Sequence, residues 1–174
     1  MSLVLNATPL IYLTRAGLHW VFEAVGEAMF STPSVYSEVV ERGKELGRPD
    51  ARVLEDFFKR KIIVVRAPEG AVLRKIQEIT AKSVSAPLHA GEAEVLALTK
   101  ELGAVAIIDE KTARGAGEVL GIEIRGNSYL VGLMIRHKKL ELKQAIQAIN
   151  KMVSSGWRIS AEDYLKVVEE MEKW

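Results

Sequence analysis

The chain has 174 residues, 48% of them hydrophobic, which suits a folded unit with a substantial core and excludes a disordered chain. Lys plus Arg (24) nearly balances Asp plus Glu (23), so no global positive field marks the chain as a non-specific nucleic-acid coat. The absence of cysteine excludes disulfides, thiolate catalysis and cysteine-held zinc or iron–sulfur centres. No apolar run reaches the roughly 20 residues that cross a bilayer, and no basic-then-apolar leader precedes the first strand. A cytoplasmic location without a membrane partner is expected.

In chain order, "SLVLN" (2–6) reads as a short strand. Thr8 is placed to cap the next helix, with Pro9 in its first turn and Gly17 ending it in a left-handed conformation. A short helix (18–26) and a short strand (27–31) follow. Thr32 and Pro33 then repeat the cap-and-proline device for a helix running towards Gly47. The segment 48–60 is helical with Val53, Leu54, Phe57 and Phe58 on one face. "KIIVVRAP" (61–68) is an apolar run expected to be a strand covered on both faces. A helix (71–82), a loop (83–91), a helix closed by Gly103 (92–103) and a second buried strand, "AVAIIDE" (104–110), come next. A helix (111–121), a short strand (122–127) and three more helices (128–140, 141–156, 160–174) complete the chain. Ser160 and Asp163 sit at capping-box spacing at the start of the last helix.

Short apolar strands alternating with helices imply βαβ units and a mainly parallel sheet with helices on both faces, an α/β fold of about five strands. In such sheets ligands bind beyond the carboxyl ends of the strands. The polar residues falling there, or in the first turns that follow, are Asn6, Glu38, Glu92, Glu94, Asp109 and Glu110. Most are acidic, and clustered carboxylates repel unless a cation or proton compensates. Hard oxygen donors suit Mg²⁺ or Mn²⁺ rather than Zn²⁺.

Each residue also has a plainer reading. Asp109 is placed as an N-cap, Glu92 as a helix-dipole charge, Glu38 as a surface glutamate and Asn6 as an Asx-turn residue. Glu94 lies about 200° around the helix from Glu92, so the two cannot both face one site. Arg114 is spaced for a salt bridge to Glu110. The "RHKKL" run (136–140) reads as a solvated helix end, and His89 precedes the Gly91 turn near the candidate site.

Taken together, "VLNATPLIYLTRAG", "STPSVYSEVV", "HAGEAEVLALTKELG" and "AIIDEKTARGAGEVLGIEIRGNSYLVGLM" resemble, in order and spacing, the PIN-domain superfamily. The closest likeness is to small prokaryotic members with a Gly-Glu-Ala-Glu helix, related to toxin–antitoxin ribonucleases. The resemblance covers roughly 3–140 and implies a three-layer α/β/α sandwich; the whole chain, 1–174, is expected to be a single domain with 141–174 a C-terminal helical extension packing on it. It implies hydrolysis of RNA, single-stranded by expectation, with Mg²⁺ or Mn²⁺ held by converging acids. It further implies a homodimer and a small antitoxin protein as partner. The family's acidic positions fall on Asn6, Glu38, Glu94 (with Glu92 competing) and Asp109. Thr8, Arg114, Asn127 and Ser128 fall in substrate-flanking positions.

The first position carries an amide rather than a carboxylate. Asn6 can offer a cation one neutral oxygen but removes one ligand charge. The expectation is weak metal affinity without substrate. An alternative is an RNA- or protein-binding module in which Asn6 has removed turnover. A doubly wound phosphate binder fits worse, because "NATPLI" lacks the glycines of a phosphate loop.

Overall fold

Short apolar segments become strands here because each lies between helices that need a common surface to bury their apolar faces. The computed structural model describes residues 1–83 and 87–174, so 84–86, in the expected loop 83–91, lie outside the described residues. Five strands, β1 (Ser2–Leu5), β2 (Ala28–Ser31), β3 (Ile63–Val65), β4 (Val105–Ile107) and β5 (Ile124–Arg125), form one all-parallel sheet in the order β3-β2-β1-β4-β5. Its centre is the most apolar part: Leu3, Val4, Leu5, Ala106 and Ile107 are fully buried, as expected for strands covered on both faces. The register pairs Leu5 with Ile107, so β1 and β4 end side by side.

Strand order reverses between β1 and β4. The chain winds from β1 through β2 to β3 on one side, then returns to place β4 and β5 on the other. That reversal opens a crevice beyond the carboxyl ends of β1 and β4, because the crossovers leave in opposite directions. Asn6 follows β1 directly, and Asp109 and Glu110 follow β4.

Two groups of helices cover the sheet and give the expected α/β/α sandwich. One contains α6 (Gly70–Ser83), α7 (Ala90–Leu102) and α8 (Lys111–Leu120), with α7 lying on β1 and β4. The other is built from α1 (Ala7–Arg15), α5 (Pro49–Lys59), α9 (Ser128–Arg136) and α10 (Leu142–Ser154). The short α2 (Val21–Ala24) packs on α9, and α11 (Ala161–Met171) packs on α9 and α10. Ser160 Oγ accepts from the Asp163 backbone N–H at 3.0 Å, the cap expected from the sequence. Among the described residues no helix is long and apolar enough to cross a membrane.

Three local expectations are corrected. The α1 cap position belongs to Asn6, not Thr8: Asn6 is extended, the helix starts at Ala7, and Thr8 lies inside the first turn with its hydroxyl turned elsewhere. The apolar run at 61–68 forms the sheet edge, so Ile63 is buried while Val64 and Val65 stay 38% and 40% exposed. The helix after Thr32 is not uniform. Between α3 (Pro33–Tyr36) and α4 (Arg42–Glu45) it widens into a π-helical turn over Ser37–Glu41, a device common where a helix must re-aim a side chain.

Candidate acidic cleft

Asn6 is fixed by its backbone before its side chain is considered. Its N–H donates to Ile107 O at 3.1 Å, extending the β1–β4 ladder one residue past the strand. The side chain is 4% exposed, so its amide cannot rely on water. Asn6 Nδ2 donates to Glu110 Oε2 at 3.2 Å, and Thr8 Oγ1 donates to Glu110 Oε1 at 2.6 Å. Two neutral donors, one at the cap of α1 and one two residues on in its first turn, thus hold both oxygens of one carboxylate.

Asn6, Thr8 and Glu110 line a cleft of about 810 Å³ that is also walled by Glu38, Glu92, His89, Arg42 and Arg48. Glu92 is 5% exposed in the first turn of α7. Its Oε2 accepts from the His89 backbone N–H at 2.8 Å, which satisfies one of the helix's free donors. Burial pushes the Glu92 carboxyl above the usual carboxylate range, and the charges of Glu110 and Glu38 push it the same way; the His89 N–H opposes them. Glu38 reaches the cleft from the π-helical turn and is exposed. Gly91 brings the α7 turn close: a Cβ there would stand 3.8 Å from Asn6 Oδ1.

Glu94 and Asp109 are not brought to this cleft. Glu94 lies on the side of α7 away from Glu92, and its two oxygens accept from Ser34 N–H (3.0 Å) and Ser34 Oγ (2.7 Å). It stabilises the first turn of α3, whose free donors favour a negative charge. Asp109 turns to the other side of the β4 end. Its Oδ1 accepts from the Asn127 N–H at 3.1 Å and from Arg114 at 3.4 Å, and its Oδ2 accepts from the Trp157 indole. Burial raises the Asp109 carboxyl pKa; the Asn127 N–H, the Trp157 indole and the Arg114 charge pull it back. Arg114 therefore pairs with Asp109, not with Glu110 as its spacing suggested. Asn127 is fully buried and presents its backbone, not its amide, to Asp109; Ser128 lines a separate groove with Asp109 and Arg114.

The structure thus unites Asn6, Thr8, Glu38 and Glu92 with Glu110, and adds His89, Arg42 and Arg48. Glu110 had a readable signal. Consecutive residues leaving a strand point to opposite sides, so only one of Asp109 and Glu110 can face the β1 end, and the Thr8 hydroxyl waits there. Arg42 and Arg48 had none: Arg42 follows the π-helical turn, which the residue pattern does not show, and Arg48 stands at the cap of α5.

All the oxygens that face the cleft are hard donors, the chemistry that Mg²⁺ and Mn²⁺ take. Among the described residues, however, no three His, Asp or Glu side chains already stand close enough to hold a metal ion. A cation would draw in carboxylates that now stand apart.

The molecule is an all-parallel α/β/α sandwich with carboxylates at its strand-order reversal, the place where such sheets bind ligands. A family model described as a PIN domain matches residues 2–173, and the chain belongs to that family. PIN domains are typically nucleases and generally use divalent metals. Comparison with curated proteins gave no match.

Proposed function

We propose that the chain is a divalent-cation-dependent ribonuclease whose working site is the cleft between α1, α7 and the end of β4. The observation that carries this reading is the convergence of Glu38, Glu92 and Glu110 on one cleft, with the Glu92 carboxyl raised by burial first and by the charges of the other two in addition. Like charges gathered at a strand-order reversal have a use when a cation and a phosphate complete them.

Glu92, Glu110 and Glu38 would hold Mg²⁺ or Mn²⁺, with Asn6 Oδ1 as a neutral fourth donor. When bound, the cation supplies a water of lowered pKa and a counter-charge for phosphate. Asn6 and Thr8 orient Glu110 by occupying both of its oxygens, so its carboxylate is aimed before anything binds. Fixing a ligand in this way counts for about 10–100-fold in affinity or activity at metal sites. Arg42 and Arg48 carry no salt bridge among the described residues and face the same cleft. Their guanidinium groups suit the substrate's phosphate oxygens, which they can bind in bidentate fashion.

A fluorescent single-stranded RNA incubated with Mn²⁺ tests the reading. Wild type should cleave it and Glu92→Gln should not. Equal cleavage by the two would sink the proposal.

The second reading, an RNA-binding module without turnover, is favoured by one observation: Glu110 is already satisfied by neutral donors. It predicts RNA binding by wild type with no cleavage at any Mn²⁺ concentration.

A further inference from the structure

The near-neutral net charge hides a local imbalance. Beyond the far side of β4, two adjoining cavities of about 600 and 490 Å³ share Arg125, Gly126, Ser128, Val167 and Glu170 as common walls. Together they form one groove running from Asp109 to Trp174, lined by seven cationic side chains and three carboxylates. Two of those carboxylates are already satisfied internally, Asp109 by its three donors and Asp163 by Ser160 Oγ at 2.7 Å. Lys111 and Arg158, by contrast, are exposed and carry no salt bridge among the described residues. Arg114, Arg125 and Lys166 are paired with Asp109, Glu123 and Glu162, so it is the charge of Lys111 and Arg158 that is free for an outside anion.

The far end is aromatic. Trp174 is 38% exposed, and its ring meets Tyr129 edge-on, with centroids 5.5 Å apart. The Arg125 guanidinium lies 5.6 Å over the Tyr129 ring. Gly132 makes the seat: a Cβ there would stand 3.0 Å from Trp174 Cε2, so only a glycine lets the indole approach α9 this closely. The result is a held, partly exposed indole at the end of a cationic track. Cations spaced along a groove together with an aromatic face are the elements that bind single-stranded nucleic acid without reading its sequence.

We propose that this groove is a second substrate site, binding the RNA strand where it leaves the acidic cleft: Lys111 and Arg158 contact phosphates and Trp174 stacks on a base. The proposal rests on the ribonuclease reading, and chain connectivity links the two sites. Asp109 walls the groove and the next residue, Glu110, walls the cleft, so a strand crossing the end of β4 passes from one to the other. Trp157, which holds Asp109, comes from the segment between α10 and α11, so the C-terminal helices build this site as well as cover the sheet.

Fluorescence anisotropy with a short labelled single-stranded RNA in EDTA tests the groove apart from turnover. The double variant Lys111→Gln/Arg158→Gln should weaken binding about tenfold. It should also make the slope of log Kd against log salt shallower by about 1.4, the value for two lost single-strand phosphate contacts. Trp174→Ala should weaken binding about tenfold with the salt slope unchanged, and Trp174→Phe should restore most of the loss. In Mn²⁺ the double variant should raise KM and leave kcat in place. Wild-type binding that is unchanged in the double variant overturns the groove and leaves the ribonuclease reading standing. Equal affinity for a duplex of the same length overturns the stacking role of Trp174. A wild type that neither binds nor cleaves RNA overturns the ribonuclease reading, and the groove with it.

Discussion

Asp109 and Glu110 are adjacent carboxylates at the end of the same strand, and they meet opposite fates. Glu110 turns towards β1, where an amide and a hydroxyl hold it at the wall of an open cleft. Asp109 turns towards β5, where a backbone N–H, an indole and a guanidinium hold it, and burial raises its pKa. One has donors that leave it beside a space large enough for substrate. The other joins the C-terminal helices to the sheet. An acid at a strand end thus faces an open cleft or an internal set of donors according to which neighbour it meets, and a single step along the backbone decides it.

The largest expected effect lies on the cleft side. Glu92→Gln keeps the bond to the His89 N–H but removes a charge from the cleft. It should lower kcat/KM on RNA by at least about a hundredfold, above the 10–100-fold cost of losing a residue that only orients a ligand, with the circular dichroism spectrum unchanged. Thr8→Val, which removes only the hydroxyl on Glu110, should cost about tenfold in the same assay.

On the other side the expected effect is on stability. Trp157→Phe keeps an aromatic ring but leaves the buried Asp109 carboxylate without one donor, a loss of about 1.5–3 kcal/mol for a hydrogen bond to a charged group. Thermal denaturation should show a drop of roughly 3–12 °C for a chain of this size. A wild-type melting curve for Trp157→Phe would break the contrast drawn between the two acids.

How much of this was legible in the sequence depended on what placed each residue. Strands and helices followed from apolar runs and cap residues, because burial on both faces leaves a compositional trace. β3 was misjudged because an edge strand and a central strand can share the same apolar run, and only its neighbours decide. The acids were found as a set, since strand ends and first turns can be counted from the pattern. Their partition was not, with two exceptions. The helical angle between Glu92 and Glu94 already forbade both from facing one site, and strand alternation forbade the same of Asp109 and Glu110. Choosing the member of each pair needed partners distant in sequence: Ser34 for Glu94, Trp157 for Asp109, and Thr8 for Glu110.

A smaller effect concerns pH. The folded Glu92 carboxyl titrates above its ordinary value of 4.5. The folded state then holds its proton over a range in which the unfolded chain has already lost it. Stability should fall as pH rises from that ordinary value through the raised one, and the cost of the buried charge is fully present above it. Glu92→Gln should flatten this part of the pH–stability curve measured by urea denaturation. A variant curve parallel to wild type would exclude Glu92 as its source.

The smallest expected change is a gain. Asn6→Asp adds a ligand charge beside Glu110 and removes the Nδ2 donor. Without RNA, Mn²⁺ affinity measured by calorimetry should be weak in wild type and several-fold tighter in the variant. Micromolar binding by wild type would contradict a site completed by substrate.

The contrast between the two neighbouring acids is tested most directly by cleavage of one labelled RNA in Mn²⁺ by Glu110→Gln and Asp109→Asn, each at a temperature well below its melting point. Glu110→Gln should lose activity by about a hundredfold or more, while Asp109→Asn should keep kcat within about tenfold of wild type and lose thermal stability instead. If Asp109→Asn abolishes turnover while Glu110→Gln remains active, the working carboxylate at the end of β4 is Asp109 and the working site lies on the other side of the strand.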